Sequence, residues 1–192
     1  SAQLGVDDTC NQSETTVFTA PAIDWDPADP STATDITLTI PFDCKTVAAV
    51  LQWSTEPHNI DLHAVTRDPD EKLGEHCYRG RKSVQCAKLL TDDANSFGPE
   101  IIEFRNLQPG TCDLYVYNQT QDDPTSLSNS QATVTICSAN FDNLVCPVPA
   151  LDFSGHVLWH VCTITVNDSG SIESITPVNQ ICEVPLWMIF EL

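Results

Sequence analysis

With 192 residues and a formal net charge of −19, from 8 Lys and Arg against 27 Asp and Glu, the chain excludes most nucleic-acid chemistry, because a phosphate backbone is held by clustered cations that release counterions. An anionic membrane surface is disfavoured on the same ground. Hydrophobic residues make up 41% of the chain, enough for a packed core, so the acidity belongs to a globule and not to a disordered polyacid.

Residues 1–34 hold Asp7, Asp8, Glu14, Asp24, Asp26 and Asp29, no Lys or Arg, and three prolines, Pro21, Pro27 and Pro30, that forbid a continuous helix. Only Thr15, Thr16, Val17, Phe18, Thr19 and Ala20 read there as a strand. The segment is expected to be an extended acidic arm, the alternative being a first strand tied into its own domain. Residues 35–192 are expected to form a disulfide-bonded all-β domain, a β-sandwich or jelly roll. Apolar residues alternate with period two at Ile36, Leu38 and Ile40, and again at Val47, Ala49, Leu51 and Trp53. Further strands are expected at Ile60 to Thr66, Val84 to Leu90, Glu100 to Phe104, Cys112 to Tyr117, Ala132 to Cys137, Val157 to Val166, Ser171 to Thr176 and Cys182 to Phe190. Short strands at regular spacing, bounded by Pro, Gly, Asn and Asp, bury their inner faces in two layers.

Nine cysteines without a Cys-x-x-Cys pair point to an oxidised, extracellular setting. Cys77 and Cys86 flank a turn-like stretch and are expected to staple a hairpin, and Cys137 and Cys146 bracket a loop in the same way. The sequons at Asn11, Asn118 and Asn167 are expected to carry N-glycans. The sequence opens at Ser1 without a charged, apolar leader, the pattern expected of a secreted chain after processing. The apolar run from Val184 to Phe190 is too short to span a bilayer, so no membrane insertion is expected.

The stretch Leu51-Gln-Trp-Ser-Thr-Glu-Pro-His-Asn-Ile-Asp-Leu-His63 resembles the YfaP-type family of secreted β-sandwich domains, with its Trp, its Pro and an Asp-Leu-His motif. Leu90-Thr-Asp-Asp-Ala-Asn-Ser-Phe-Gly-Pro-Glu100 is similar to that family's acidic turn ending in Gly-Pro-Glu, and Gln108-Pro-Gly-Thr-Cys-Asp-Leu-Tyr-Val-Tyr-Asn118 to its Pro-Gly-Thr strand. Trp159-His-Val161 and Ile175-Thr-Pro-Val-Asn179 resemble its closing element. The resemblance spans about residues 47–180 and implies the fold, not an activity. Asn59 and Cys112 depart from the family pattern, standing where an acid and an aromatic are usual. The acidic arm ahead of a glycosylated jelly roll also looks like the subunits of extracellular fibres that lend a strand to a neighbour.

Asp61 and His63 lie two apart in a strand and leave the same face of its sheet. The resemblance implies that the loop carrying Asp92, Asp93 and Glu100 lies nearby, an oxygen-rich set suited to a structural Ca²⁺, while the bland reading makes these acids ordinary turn residues. His156 and His160 stand about 13 Å apart if both lie in one strand, too far for a zinc clip. No motif for a nucleophile, a zincin or a phosphate loop occurs, and catalysis is not expected; an Asp61–His63 acid/base pair is the enzyme alternative. Trp53 and Trp159 sit at core-like strand positions.

Six of the eight basic residues lie between Arg67 and Lys88. A basic island and an acidic arm suit head-to-tail contact between copies, with Thr15 to Ala20 donated as a strand and Arg79, Arg81 and Lys82 as a docking patch. A self-assembling structural subunit, forming a filament, is the leading expectation. A Ca²⁺-organised module for carbohydrate or cell-surface ligands is the alternative.

Overall fold

The computed structural model describes residues 14–21, 33–40, 46–119, 126–138, 141–150 and 157–183. The protein is a β-sandwich of two antiparallel five-stranded sheets, as the alternation foretells. The first sheet contains β3 (Val47–Gln52), β6 (Ala87–Thr91), β7 (Glu100–Phe104), β9 (Thr133–Ser138) and β10 (Phe141–Pro147), in the order β10-β9-β3-β7-β6. The second contains β4 (Ile60–Arg67), β5 (Leu73–Cys77), β8 (Gly110–Asn118), β11 (Val157–Val166) and β12 (Ile172–Glu183), in the order β12-β11-β8-β4-β5. One helical turn, α1 (Ser126–Asn129), lies between β8 and β9. Among the described residues no helix is long and apolar enough to cross a membrane.

Alternate positions of facing strands make the core. Val47, Ala49 and Leu51 of β3 and Ile102 and Phe104 of β7 meet Ile60 and Leu62 of β4, Leu114 and Val116 of β8, and Trp159 of β11. Strand β11 breaks parity to do so. A bulge between His160 and Cys162 lets Val161 and Cys162, neighbours in sequence, both enter the core, after which Ile164 and Val166 resume the alternation. Trp53 and Trp159 are buried as expected, and each indole finds an acceptor: Trp53 Nε1 donates to Pro57 O at 2.9 Å and Trp159 Nε1 to Asn179 Oδ1 at 2.8 Å.

Two strands were not foreseen. The edge strands β5 and β10 are largely exposed and lack a clean apolar alternation. The run expected at Val84 to Leu90 is strand only from Ala87, and β12 is one continuous strand through Pro177, where the bulge opposite His160 and Cys162 absorbs the proline. The closing run from Val184 to Phe190 lies outside the described residues.

At the N-terminus β1 (Glu14–Pro21) contains the expected strand Thr15 to Ala20 and pairs within its own chain with β2 (Ala33–Ile40), Glu14 opposite Ile40 and Pro21 opposite Ala33. The two make a separate two-stranded sheet, hydrogen-bonded to neither five-stranded sheet.

No disulfide joins the described cysteines to one another, so the expected Cys77–Cys86 and Cys137–Cys146 bonds are not formed. Residues 77–86 are not a hairpin: Cys77 ends β5 in one sheet and Cys86 precedes β6 in the other, so the link crosses between layers. Cys137 faces the outer side of its sheet with Ala48, Val50 and Ile101, whereas Cys146 faces the core. Opposite faces of one sheet cannot share a bond without moving the backbone. Replacing fully buried Phe104 by Ala is expected to destabilise the fold by about 3–5 kcal/mol, read as a lower midpoint in urea unfolding.

Candidate metal centre

Strand β5 pairs with β4 only from Ala64 onward, opposite Cys77, so the edge of β4 from Ile60 to His63 has no neighbouring strand on that side. Glu100 fills the gap. It shares the inward face of β7 with Ile102 and Phe104, and its Oε2 accepts the Leu62 backbone N–H at 2.7 Å. A side chain of the first sheet thereby completes the ladder of the second. Its other oxygen, Oε1, receives no hydrogen bond although Glu100 is fully buried.

The acidic loop 92–99 is held in place by the loop 53–58. Ser96 N donates to His58 O at 2.8 Å, Ser96 Oγ to Thr55 O at 2.7 Å, and Trp53 N to Phe97 O at 3.3 Å. Gly98, at φ +77°, packs so closely on Trp53 that a Cβ there would stand 2.7 Å from the indole, which is why the turn into Glu100 carries glycine.

These constraints bring Asp61, Asp92 and Glu100 together, with one carboxylate oxygen from each lying within 4.8 Å of the others. Of the four acids and one histidine expected at a metal, two stand apart. Asp93 Oδ1 accepts Asn95 N at 2.8 Å in a local turn, the ordinary turn role. His63 shares the outer face of β4 with Asp61 but engages His76, Nδ1 to Nε2 at 2.9 Å, and stacks on Tyr78. Burial and the neighbouring His76 hold His63 down to about 3, so it stays neutral and is a poor general acid at physiological pH.

Two cations of the basic turn face the carboxylates. Arg79 Nε lies 3.2 Å from Asp61 Oδ2 in a geometry that makes an ion pair but no hydrogen bond, and neither Asp61 oxygen accepts one. Lys82 Nζ contacts Asp92 Oδ2 at 2.5 Å. Arg81 is exposed, and its charge favours the ionised form of Glu75. Arg79 and Lys82 are therefore engaged by acids of their own chain. Two of those acids, Asp61 and Asp92, were themselves named for the metal.

Burial dominates the electrostatics. It raises Asp61 to about 6 against the pull of Arg79, and raises Glu100 to about 10, with the Asp61 charge adding to the effect and the Leu62 hydrogen bond opposing it. Lys82 is raised by its bond to Asp92.

Of the sequons, Asn167 sits in an exposed turn, its Oδ1 accepting the N–H groups of Ser169 and Ser171 at 3.0 Å each. Asn118 is buried at the end of β8, and Asn11 lies outside the described residues. A separate cleft of about 210 Å³ opens at the far end of β4, lined by Arg67, Asp68, Glu75, Cys86, Leu107 and Cys112 among others.

No family model, no curated protein and no solved structure matches the chain. The resemblance over residues 47–180 rests on its motifs alone.

Because Asp61 and Glu100 hold protons more tightly when folded than when unfolded, the native state binds the extra protons between about pH 4 and 10. Their contribution to stability is complete below the unfolded carboxylate range and is lost as pH rises through about 6 and then toward 10. Without added metal, thermal melts should show stability falling from pH 5 to pH 8, and Glu100→Gln should flatten that slope, since the amide stays neutral and still accepts from Leu62.

Proposed function

We propose that the protein is a non-catalytic, extracellular β-sandwich binding module organised by a divalent cation, Ca²⁺, at Asp61, Asp92 and Glu100. The observation that carries the reading is the convergence of three carboxylate oxygens within 4.8 Å, around a fully buried Glu100 whose Oε1 has no hydrogen bond. Oxygens bound to one Ca²⁺ at about 2.3–2.6 Å lie at most about 5 Å apart, the spacing found here. The donor set contains no thiol or imidazole, which favours a hard cation over zinc. A divalent charge among these groups replaces the proton that burial otherwise leaves on Glu100. The secreted setting draws its support from the cysteine-rich composition and from the exposed Asn167 sequon. The YfaP-type resemblance agrees with the sandwich.

A second reading, a structural subunit that joins copies of itself, is favoured by one feature. The β1–β2 ribbon belongs to neither large sheet, and a two-stranded ribbon is marginal unless something packs on it or extends it.

Calorimetric titration of chelator-treated protein should show one Ca²⁺ bound with Kd on the order of 0.1–1 mM, as in extracellular modules. A hundredfold excess over Kd should add about 2.7 kcal/mol of stability, raising Tm by about 5–10 °C. Glu100→Gln and Asp61→Asn should each weaken binding at least about tenfold while leaving the circular dichroism spectrum unchanged. No heat and no shift in Tm would remove the cation from the reading.

A further inference from the structure

The basic turn that closes on the carboxylates is placed to report their occupancy. Tyr78 and Arg81 bond to each other through both backbone groups, N to O at 3.2 Å and N to O at 2.9 Å, so Arg79 and Gly80 form the tip of a tight turn anchored beside the site. Arg79 from that tip and Lys82 just beyond it are the counter-charges of Asp61 and Asp92. Both remain partly open to solvent, their side chains 37% and 56% exposed, so each can leave its acid without unfolding anything. The same two acids are ligands in the reading above, and an oxygen that coordinates a divalent ion has less charge to offer a neighbouring ammonium or guanidinium.

We infer that the site is a cation-operated switch for self-association: Ca²⁺ displaces Lys82 and Arg79 from Asp92 and Asp61, and the freed basic turn docks the acidic N-terminal segment of a second copy. The inference rests on the cation reading and adds the partner. Charge complementarity selects the occupant. Residues 1–34 carry six acids and no base, while six of the chain's eight basic residues lie between Arg67 and Lys88. The acidic segment of one chain and the basic turn of another are different surfaces, so the contact is head-to-tail and can propagate. It also explains why a chain of charge −19 keeps its few cations together: beside their own acids they are silenced until a stronger cation takes those acids away.

The test is sedimentation velocity of the full chain, with Ca²⁺ or with chelator, alongside calorimetry on the same samples. The wild-type chain should be monomeric in chelator and form larger species in Ca²⁺, an effect that 0.5 M NaCl reverses while Ca²⁺ stays bound, since exposed charge contacts are screened at about that salt. Lys82→Gln removes the tethered competitor and should tighten Ca²⁺ binding about fivefold. The double variant Arg79→Gln/Lys82→Gln should bind Ca²⁺ yet stay monomeric, as should a full chain with Asp24, Asp26 and Asp29 changed to Asn. Ca²⁺ binding by the wild-type chain without any change in sedimentation overturns the switch and leaves the cation reading standing. Association that persists in the double variant overturns the docking role of the turn. Failure to bind Ca²⁺ at all overturns both.

Discussion

One hydrogen bond between the layers organises the described end of the sandwich: the Glu100 carboxylate of β7 receives the Leu62 amide of β4. It exists because β5 is too short to cover the first half of β4, and a buried backbone donor without an acceptor costs about 1–3 kcal/mol. Satisfying that amide with a glutamate solves a backbone problem and creates an electrostatic one. A carboxyl group is now fully buried, beside Asp61, with one oxygen lacking a hydrogen-bond donor. An isolated buried charge is not tolerated, so the group holds a proton or waits for a cation. A purely structural cap and a binding site are, in this molecule, the same residue.

The remaining features of the site follow from how that residue is delivered. Gly98 turns the chain against Trp53, and the loop carrying Asp92 is tied to the loop preceding β4, so the acids of both arrive on the same side of the open edge. The turn between β5 and β6 crosses from one layer to the other and carries Arg79 and Lys82 past the opening on its way. The proximity of three acids and two bases is a consequence of strand lengths and crossovers, and their long side chains leave the two bases free to move where the acids are not. His63, on the outer face nearby, is held neutral by burial and the neighbouring His76, which stacks on Tyr78.

The interior shows which sequence signals survive folding. Strands β3, β4, β7, β8, β9 and β11 are flanked by strands on both sides, and each was legible because at least one face is packed and alternate residues are apolar. Strands β5 and β10 were not, because an edge strand takes its conformation from one neighbour's hydrogen bonds while its side chains stay in water. The bulge in β11 was invisible for a related reason. It changes which face two adjacent residues meet, and Val161 and Cys162 are apolar enough to be read either way.

The sequence by itself determined the two-layer β architecture, the acidic character of the molecule and the small set of residues from which the site is drawn, because alternation and charge are local properties of the chain. Only the tertiary structure decided that Asp92 joins Asp61 and Glu100 while its neighbour Asp93 does not, that Cys137 and Cys146 face opposite sides of one sheet, and that Arg79 and Lys82 meet acids of their own chain. Those outcomes depend on which strand ends short, which link crosses between layers and which way a loop residue points. These are distances across the fold, and no spacing along the chain encodes them.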